Sequence, residues 1–449
     1  MFNARYYRTH MITKNIAVIG GGLAGCEAAW QAAGAGCSVT LFEMKPTAFS
    51  PAHERDGLAE LVCSNSLRSS DLTAGIGLLQ AEMAEAGSLI MEAALACRVP
   101  AGKALAVDRA LFSEYVTAKI AGQENITLVR QEILSLDDAV LSGFDAVVVA
   151  AGPLAGERLT ASLVETIGGD DLFFYDAIAP IVSTDSVDMT RAFWASRYAP
   201  EEKDYLNCPM TEAEYKAFVQ ALLDGEKVEA REFEEGVHFE GCLPVETMAE
   251  RGEMTLAFGP LKPVGLTDPH TGEQPFAVVQ LRAENRDKTA MNLVGFQTKL
   301  KYGEQKRIFR MIPGLDQAEF LRLGSIHRNT FVNSPRVLTP HLELKSRPGV
   351  YLAGQITGVE GYLESAACGL WLGLFLSGRV SELPPRETAL GALLAHTRSD
   401  AKHFQPSNIN FGLMPPLNVR AKKARRKELH AERARKVWGE WKEKESVKF

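Results

Sequence analysis

Residues 16–43 read IAVIGGGLAGCEAAWQAAGAGCSVTLFE, and this stretch decides the fold. An apolar run leads into a glycine-rich turn, a helix of small residues, and a second strand that ends at Glu43. Gly20, Gly22 and Gly25 have the spacing G-x-G-x-x-G in the strand–turn–helix setting that gives this spacing its meaning. Gly20 permits the tight turn, Gly22 lets the backbone approach a pyrophosphate, and Gly25 lets helix and strand pack closely.

The same stretch predicts a dinucleotide site. Phosphates would bind the free N–H groups at the helix N-terminus, where the helix dipole favours negative charge. Glu43 is placed to accept hydrogen bonds from ribose hydroxyls. The predicted contacts in this unit are Gly20, Gly21, Gly22, Leu23, Ala24, Gly25 and Glu43. The alternative is a glycine turn in an ordinary βαβ unit.

Composition describes an ordinary globular chain. Its 449 residues are 46% hydrophobic and 23% charged, enough for two domains or for one domain with a large insertion. The net charge of −7 does not suggest a nucleic-acid protein, and no DNA partner is expected. However, Arg420–Phe449 carries twelve Lys/Arg against five Asp/Glu, which is compatible with RNA binding on one face.

The seven cysteines are scattered and none forms a C-x-x-C pair, so we expect neither a disulfide framework nor a metal site. The first residues lack the apolar core of a secretory signal, and no apolar run is long enough to span a bilayer. We therefore expect a cytoplasmic location and no membrane partner. The residues before Met11 are predicted to be a disordered extension.

Two further strand–glycine units indicate how the chain is organised. They are Phe144–Pro153 and Gly349–Gly358, and the second leads into an apolar helix over Tyr362–Leu376. Because they lie almost two hundred residues apart, we predict an α/β fold with one doubly wound domain interrupted by a smaller α+β insertion domain. The expected ranges are 1–195, 196–334 and 335–449, the last with the basic tail, which we predict to be helical.

Within the insertion, we predict a helix over Thr211–Leu223 and short strands over Thr255–Phe258 and Pro275–Leu281. A second dinucleotide fingerprint is missing, which favours one tightly held flavin over two separate cofactor sites. The turns after the later strands add Gly152, Gly354 and Gln355 to the expected cofactor contacts. Gln355 stands where many flavoproteins have an aspartate that reaches the ribityl chain.

Several long blocks resemble one enzyme family over essentially the whole chain. They are Ser50-Pro-Ala-His-Glu, Leu61-Val-Cys-Ser-Asn-Ser-Leu-Arg68, Tyr205-Leu-Asn-Cys-Pro-Met210, Phe239-Glu-Gly-Cys-Leu-Pro-Val-Glu246, Phe258-Gly-Pro-Leu-Lys-Pro-Val-Gly265, Gly295-Phe-Gln-Thr, His327-Arg-Asn-Thr-Phe, Gly354-Gln-Ile-Thr-Gly-Val-Glu-Gly-Tyr362 and Asn410-Phe-Gly-Leu-Met-Pro-Pro. The chain is similar to the folate- and flavin-dependent tRNA uracil-5-methyltransferases (TrmFO). The GidA-type wobble-uridine flavoproteins share the flavin domain but are normally longer.

The resemblance implies a Rossmann-like FAD-binding domain of the glutathione-reductase type. It also implies methylation of C5 in the T-loop uridine 54 of tRNA. The carbon would come from 5,10-methylenetetrahydrofolate, with FAD as its carrier and reductant and NAD(P)H as the source of electrons. The expected partners are therefore tRNA, folate and NAD(P)H.

Uracil C5 is a poor nucleophile, and adding a thiolate to C6 makes it reactive, after which a second group must take the C5 proton. By the resemblance, Cys242 and Cys63 are the catalytic cysteines. We assign Cys242 as the nucleophile and Cys63 as its partner in proton handling or in an adduct, and the reverse order stays open. Cys26, Cys37, Cys97 and Cys368 are expected to be small buried hydrophobes, while Cys208 is left undecided.

A basic cluster in the insertion is the predicted RNA contact: Lys299, Lys301, Lys306, Arg307 and Arg310. Phe296, Tyr302 and Phe309 are interleaved and could stack on a base, and His327 and Arg328 follow. The basic tail is a second candidate. Glu364 could cap its helix or face solvent.

Three other functions stay open at this point. The same chemistry could act on ribosomal RNA or on the wobble uridine. A plain flavin disulfide or NAD(P)H oxidoreductase is disfavoured by the missing C-x-x-C and second fingerprint. A non-catalytic flavin-binding RNA chaperone would require idle thiols at Cys63 and Cys242.

Overall fold

A five-stranded parallel sheet organises the first domain of this computed structural model. The structure describes residues 14–168, 172–177, 179–197, 199, 202–228, 243–399, 404–419 and 422–445. The sheet contains β1 (Asn15–Ile19), β2 (Ser38–Glu43), β6 (Ile126–Arg130), β7 (Ala146–Val149) and β16 (Val350–Leu352). Their order is β16-β7-β1-β2-β6. The strands that follow β1 in the chain are added first on one side of it and then, from β7 onward, on the other, so the switch point lies between β1 and β7. Ligands bind at such a switch point in doubly wound sheets.

Two helices cross closely above this sheet. They are α1 (Leu23–Gly34) and α11 (Tyr362–Leu376), the second with the predicted bounds. A Cβ at Gly369 would lie 2.0 Å from the Ala24 carbonyl oxygen, and one at Gly373 would lie 2.6 Å from that of Ala28. Glycine is therefore required where α11 crosses α1. The other helices of this domain are α2 (Gly75–Glu85), α3 (Leu89–Ala96), α4 (Arg109–Ala121), α5 (Glu157–Ile167), α10 (Ser334–Val337) and α12 (Ala389–His396).

The insertion is built on a six-stranded antiparallel sheet of order β10-β11-β12-β13-β9-β14. Its strands are β9 (Ile181–Ser183), β10 (Phe193–Ala195), β11 (Tyr205–Met210), β12 (Ala277–Ala283), β13 (Ala290–Leu293) and β14 (Phe320–Arg322). Its helices are α6 (Glu212–Asp224), α7 (Val245–Glu250), α8 (Thr255–Phe258) and α9 (Tyr302–Phe309). The predicted helix after Thr211 is confirmed, whereas the strand predicted over Thr255–Phe258 is wrong because these residues form α8.

The described strands also form two smaller sheets. One contains β3 (Ser66–Ser69), β4 (Arg98–Val99) and β5 (Ala104–Val107), and the other pairs β8 (Leu172–Ala177) with β15 (Ile326–Phe331). Since β9 and β10 precede residue 196 yet belong to the insertion sheet, we propose that the β8–β15 ribbon marks the boundary of the insertion. This extends the insertion upstream of the range expected from sequence.

The basic C-terminal segment forms α13 (Lys423–Lys444), as predicted. Trp438 and Trp441 anchor its inner face in the core of the first domain. The mixed α/β class with a doubly wound parallel sheet is confirmed. Among the described helices, none is both long and apolar enough to cross a membrane.

Candidate active site

A cavity opens at the carboxyl ends of β1, β2, β7 and β16. Parallel strands bring these ends to one edge, so the cavity lies at the switch point of the sheet. The sequence-predicted residues that line it are Gly20, Gly21, Gly22, Leu23, Ala24, Glu43, Gly152, Gly354 and Gln355. Gly25 lies directly behind them in α1.

The glycine-rich turn leaves bare backbone at this cavity. Gly22 caps α1 without any side-chain partner, and a Cβ placed on it would contact no atom within 4 Å. A Cβ on Gly25 would lie 1.9 Å from the Gly20 carbonyl oxygen, so glycine is needed there for close packing. Gly20 itself has a φ of 104°. The turn therefore presents free helix N–H groups to an open space, which suits a pyrophosphate.

Glu43 ends β2 at the wall of the cavity. Its Oε2 accepts from the Gly21 amide at 2.8 Å and its Oε1 from the Lys45 amide at 2.9 Å. The side chain is only 6% exposed. Each carboxylate oxygen retains a further lone pair for a ribose hydroxyl, so the donor and acceptor set here fits the adenosine half of FAD.

The other end of the cavity lies beneath α11. Gly354 has a φ of 83°, and Gln355 Nε2 donates to Glu360 Oε2 at 2.6 Å. The carboxamide of Gln355 is thus tethered to a buried carboxylate while it faces the cavity. Together with the bare glycine turn, this wall fits FAD.

Cys63 lies next to this end of the cavity, on the loop before β3. The Tyr362 hydroxyl lies 3.0 Å from Cys63 Sγ and accepts from the amides of Cys63 at 2.8 Å and Ser64 at 3.3 Å. Burial, followed by the nearby Cys63, raises the pKa of Tyr362 well above its usual value, so this hydroxyl keeps its proton. Sequence reasoning named Cys63 but missed Tyr362, which is 299 positions away.

A second residue missed by sequence reasoning is His53. It lines the cavity, and its Nδ1 lies 2.5 Å from Ser50 Oγ. Burial, then the positive charge of Lys45, lowers the pKa of His53, so the neutral imidazole is favoured. The block Ser50-Pro-Ala-His-Glu was the available signal, and nothing in it specified a contact with the cavity.

The other described cysteines are buried: Cys26, Cys37, Cys97, Cys208 and Cys368. Burial raises the pKa of Cys208 to about 12, so this thiol in β11 behaves as a small hydrophobe. Cys63 alone among the described cysteines is partly exposed. Cys242 lies outside the described residues. The described part of the chain holds no cluster of His, Cys, Asp and Glu suited to a metal ion.

The predicted RNA-contact cluster lies on and before α9. Phe296 and Phe309 are fully buried in the core of the insertion, so the suggestion that they stack on a base is wrong, whereas Tyr302 is 62% exposed. Lys301 pairs with Glu226 at 2.9 Å, and Arg307 pairs with Glu304 at 2.5 Å.

The other members of this cluster differ in their surroundings. Arg310 donates to the Ala318 carbonyl, Lys306 is exposed, and Lys299 is half-buried. The side chains of His327 and Arg328 lie outside what the structure describes. The cluster therefore presents lysines to solvent but only one aromatic ring.

The structure also shows the ion pairs of the tail helix and the contacts of Glu364. Arg425 pairs with Glu428 and Glu432, and Lys442 pairs with Glu85, so part of the tail's positive charge is neutralised. Glu364 is fully buried, and its Oε1 accepts from Arg68 Nη1 at 2.8 Å and from the Ile409 amide at 3.0 Å. It therefore ties α11 to β3 and to the segment before α13, and it does not face solvent.

Comparison with known proteins gives one family match, close relatives of one name and a structural neighbour from the matched family. Residues 15–384 match the family described as glucose inhibited division protein A (GIDA). The methylenetetrahydrofolate--tRNA-(uracil-5-)-methyltransferase TrmFO of Oleidesulfovibrio alaskensis is 64% identical over 429 residues, covering 95% of this chain and 96% of the relative. The TrmFO of Geobacter sulfurreducens is 58% identical over 437 residues, covering 96% and 99%. The solved structure of Aquifex aeolicus GidA superposes with a TM-score of 0.66 at 16% identity, over 96% of this chain and 74% of that one.

Proposed function

The chain belongs to the TrmFO family of methylenetetrahydrofolate-dependent tRNA uracil-5-methyltransferases, and from that premise we propose that it methylates the T-loop uridine 54 of tRNA. The observation that carries the proposal is the position of Cys63. This partly exposed thiol lies against Tyr362 at the end of a cavity whose other end is lined by the glycine-rich turn and Glu43. Folate- and flavin-dependent C5 methylation of uracil would place a nucleophilic or proton-accepting thiol beside the flavin.

Gly22 and the N-terminus of α1 would hold the pyrophosphate of FAD, and Glu43 would accept from a ribose. Gly354 and Gln355 would hold the ribityl side beneath α11, and Gly152 would border the same wall. When bound, FAD would carry the one-carbon unit from 5,10-methylenetetrahydrofolate and supply the reducing electrons. NAD(P)H would provide those electrons, and a cytoplasmic location is part of the proposal.

The chain's own contribution is to activate uracil and to move protons. We assign Cys242 to add its thiolate to C6, which makes C5 nucleophilic, and Cys63 to accept the C5 proton after the new carbon–carbon bond has formed. Elimination of the Cys242 thiolate then restores the C5–C6 double bond. The Tyr362 hydroxyl fixes the Cys63 sulfur on one side.

tRNA binding is proposed for the lysines before and on α9 and for the exposed face of α13. Phosphate contacts from Lys299, Lys301, Lys306, Arg307 and Arg310 would provide affinity, while the exposed ring of Tyr302 could stack on a base. The target base must leave the folded T-loop to reach the thiols.

The test is to incubate the purified holoenzyme with unmodified tRNA, 5,10-methylenetetrahydrofolate and NADPH, and to map the product by nucleoside mass spectrometry. We expect ribothymidine at position 54, and none in a transcript with cytidine at that position. Methylation at the wobble uridine, or of ribosomal RNA in place of tRNA, would contradict the proposed target. Oxidation of NADPH without any methylated RNA would contradict the function.

A further inference from the structure

Three arginines converge on the loop that carries Cys63. Arg109 of α4 donates from Nη1 to the carbonyls of Leu61 at 2.9 Å and Val62 at 3.0 Å. Arg322 of β14 donates to the same Val62 carbonyl at 2.9 Å. The backbone just before the sulfur is therefore held by one arginine from each domain.

Arg282 of β12 holds the residues that follow the sulfur. Its Nη2 donates to Ser64 Oγ and its Nε to Asn65 Oδ1, each at 2.9 Å. Asn65 Nδ2 in turn donates to the carbonyls of Val107 and Ala283, both at 2.9 Å, so Asn65 also spans the two domains. Because these groups are buried, the position of Cys63 depends on the contact between the domains.

Positive charge exceeds negative charge around this loop unless Cys63 itself is negatively charged. Glu284 pairs with Arg109, with Nε and Oε2 separated by 2.5 Å. Arg282 is only 6% exposed, and its hydrogen bonds to the loop go to neutral groups. Among the described residues, no carboxylate lies within ion-pair distance of Arg282. Glu284 therefore pairs with Arg109 and leaves Arg282 without a paired carboxylate. A buried guanidinium without a counter-charge is costly.

The remaining neighbours do not provide the missing negative charge. Tyr362 stays protonated, since burial and Cys63 raise its pKa. Arg322 adds positive charge, and its nearest carboxylate, the exposed Glu54, is 4.0 Å away. Burial lowers the pKa of Arg282, whereas Glu284, Tyr205 and Cys63 raise it and Arg109 opposes them. An anion at Cys63 would balance the cluster.

We propose that Arg282 is a positioning residue that holds Cys63 as a thiolate at neutral pH, with Arg109 and Arg322 fixing the backbone that carries the sulfur. A thiolate is stabilised by neighbouring positive charge and by hydrogen-bond donors. The Tyr362 hydroxyl is such a donor, because its two acceptor positions are taken by the amides of Cys63 and Ser64. The inference rests on the proposed role of Cys63 as proton acceptor, since only the thiolate can accept a proton.

The test is the pH dependence of Cys63 alkylation by iodoacetamide in the holoenzyme, followed by peptide mass spectrometry. We expect the rate of the wild-type protein to rise with a midpoint clearly below about 8.5, the value of a free thiol. In Arg282→Met we expect the midpoint to move up by about one pH unit and the rate at neutral pH to fall about tenfold. Arg282→Lys keeps the charge and should restore much of the wild-type profile.

Arg286→Met is the matched control. Arg286 also extends from the insertion to the first domain, where it donates to the Ala96 carbonyl, but its guanidinium does not contact the Cys63 loop. Its profile should match that of the wild type. A wild-type midpoint at or above that of a free thiol would overturn the inference whether or not Arg282→Met folds, and so would superimposable profiles of Arg282→Met and wild type. The measurement needs neither RNA nor folate. A low midpoint for Cys63 can therefore be found even if the protein does not methylate tRNA, and methylation can be found even if the midpoint is that of a free thiol.

Discussion

The Tyr362 hydroxyl lies 3.0 Å from the sulfur of Cys63 while it accepts hydrogen bonds from two backbone amides. A tyrosine hydroxyl has two acceptor positions and one proton, so the proton is left for the sulfur. The first residue of α11 thereby orients a thiol on a loop of the other half of the domain.

Tyr362→Phe should therefore slow methyl transfer without expelling the flavin. The substitution removes a hydrogen bond to a charged group, worth about 1.5–3 kcal/mol, which corresponds to a rate loss of about tenfold to more than a hundredfold. It should also lower the free energy of unfolding, because two amides lose their acceptor. Ribothymidine formation and flavin absorbance are the measurements. A variant that turns over at the wild-type rate would contradict this role.

Cys63→Ala and Cys242→Ala should each abolish methyl transfer, by at least about a hundredfold, and keep FAD bound. Cys97→Ala is the control, because Cys97 is buried and burial raises the pKa of its thiol. Single-turnover assays with unmodified tRNA would separate the variants. Normal turnover in both of these variants would contradict the assignment of the two thiols to catalysis.

Gly22→Val should give colourless protein. Its side chain would project into the open space that the pyrophosphate needs, with no protein atom within 4 Å. Gly34→Val is the matched control, since Gly34 ends the same helix on its exposed side and also has open space around it. The measurement is the ratio of flavin to protein absorbance, which should be lost in Gly22→Val and kept in Gly34→Val. A yellow Gly22→Val protein would contradict the placement of FAD.

Glu82 should make stability depend on pH. Burial raises its pKa to about 8, against the bonds from the amides of Ala389 and Leu390 that lower it. Unfolded Glu82 would ionise near pH 4.3, so between about 4.3 and 8 only the folded state holds the proton. The free energy of unfolding should then fall as the pH rises through that window, by up to about 1.4 kcal/mol per unit, and level off above it.

Glu82→Gln should flatten this slope in denaturant titrations at several pH values, whereas Glu114→Gln, an exposed change on α4, should not. Equal slopes for the two variants would show that Glu82 is already ionised in the folded protein.

Alanine substitution of Lys299, Lys301 and Arg307 should weaken tRNA binding and reduce its salt dependence by about one unit of slope for each phosphate that is no longer neutralised. The loss of tRNA affinity should differ between single substitutions. Lys301 and Arg307 have carboxylate partners, whereas Lys306 is exposed and outside the described ion pairs. Lys306→Ala is therefore expected to cost more affinity than Arg307→Ala. Binding titrations at several salt concentrations test this, with Arg347→Ala as control. An unchanged slope would show that tRNA binds a different surface of the protein.

The elements with strong local signals were predictable from the sequence. The glycine spacing and apolar runs predicted β1, α1 and β2, and the helix over Tyr362–Leu376 was correct at both ends. Thr255–Phe258 was mistaken for a strand because four residues do not reveal a period. The interleaved aromatics misled for a related reason: on α9, Phe309 faces the core while Lys306 and Arg307 face solvent.

The chemistry around Cys63 could be predicted only in part. A cysteine in an unusual block could be singled out, but its partners come from distant segments. Tyr362, Arg109 and Arg282 meet the Cys63 loop only after the sheet and the insertion have assembled. No local pattern specifies such contacts, since they depend on how α4, α11 and β12 pack.

The most direct test of the central claim is the origin of the new methyl carbon. Unmodified tRNA would be incubated with the holoenzyme, 5,10-methylenetetrahydrofolate labelled with carbon-13 in its methylene group, NADPH and unlabelled S-adenosylmethionine. We predict ribothymidine that carries the label, formed by a yellow protein. Unlabelled ribothymidine, or labelled product from a protein that holds no flavin, would contradict the account.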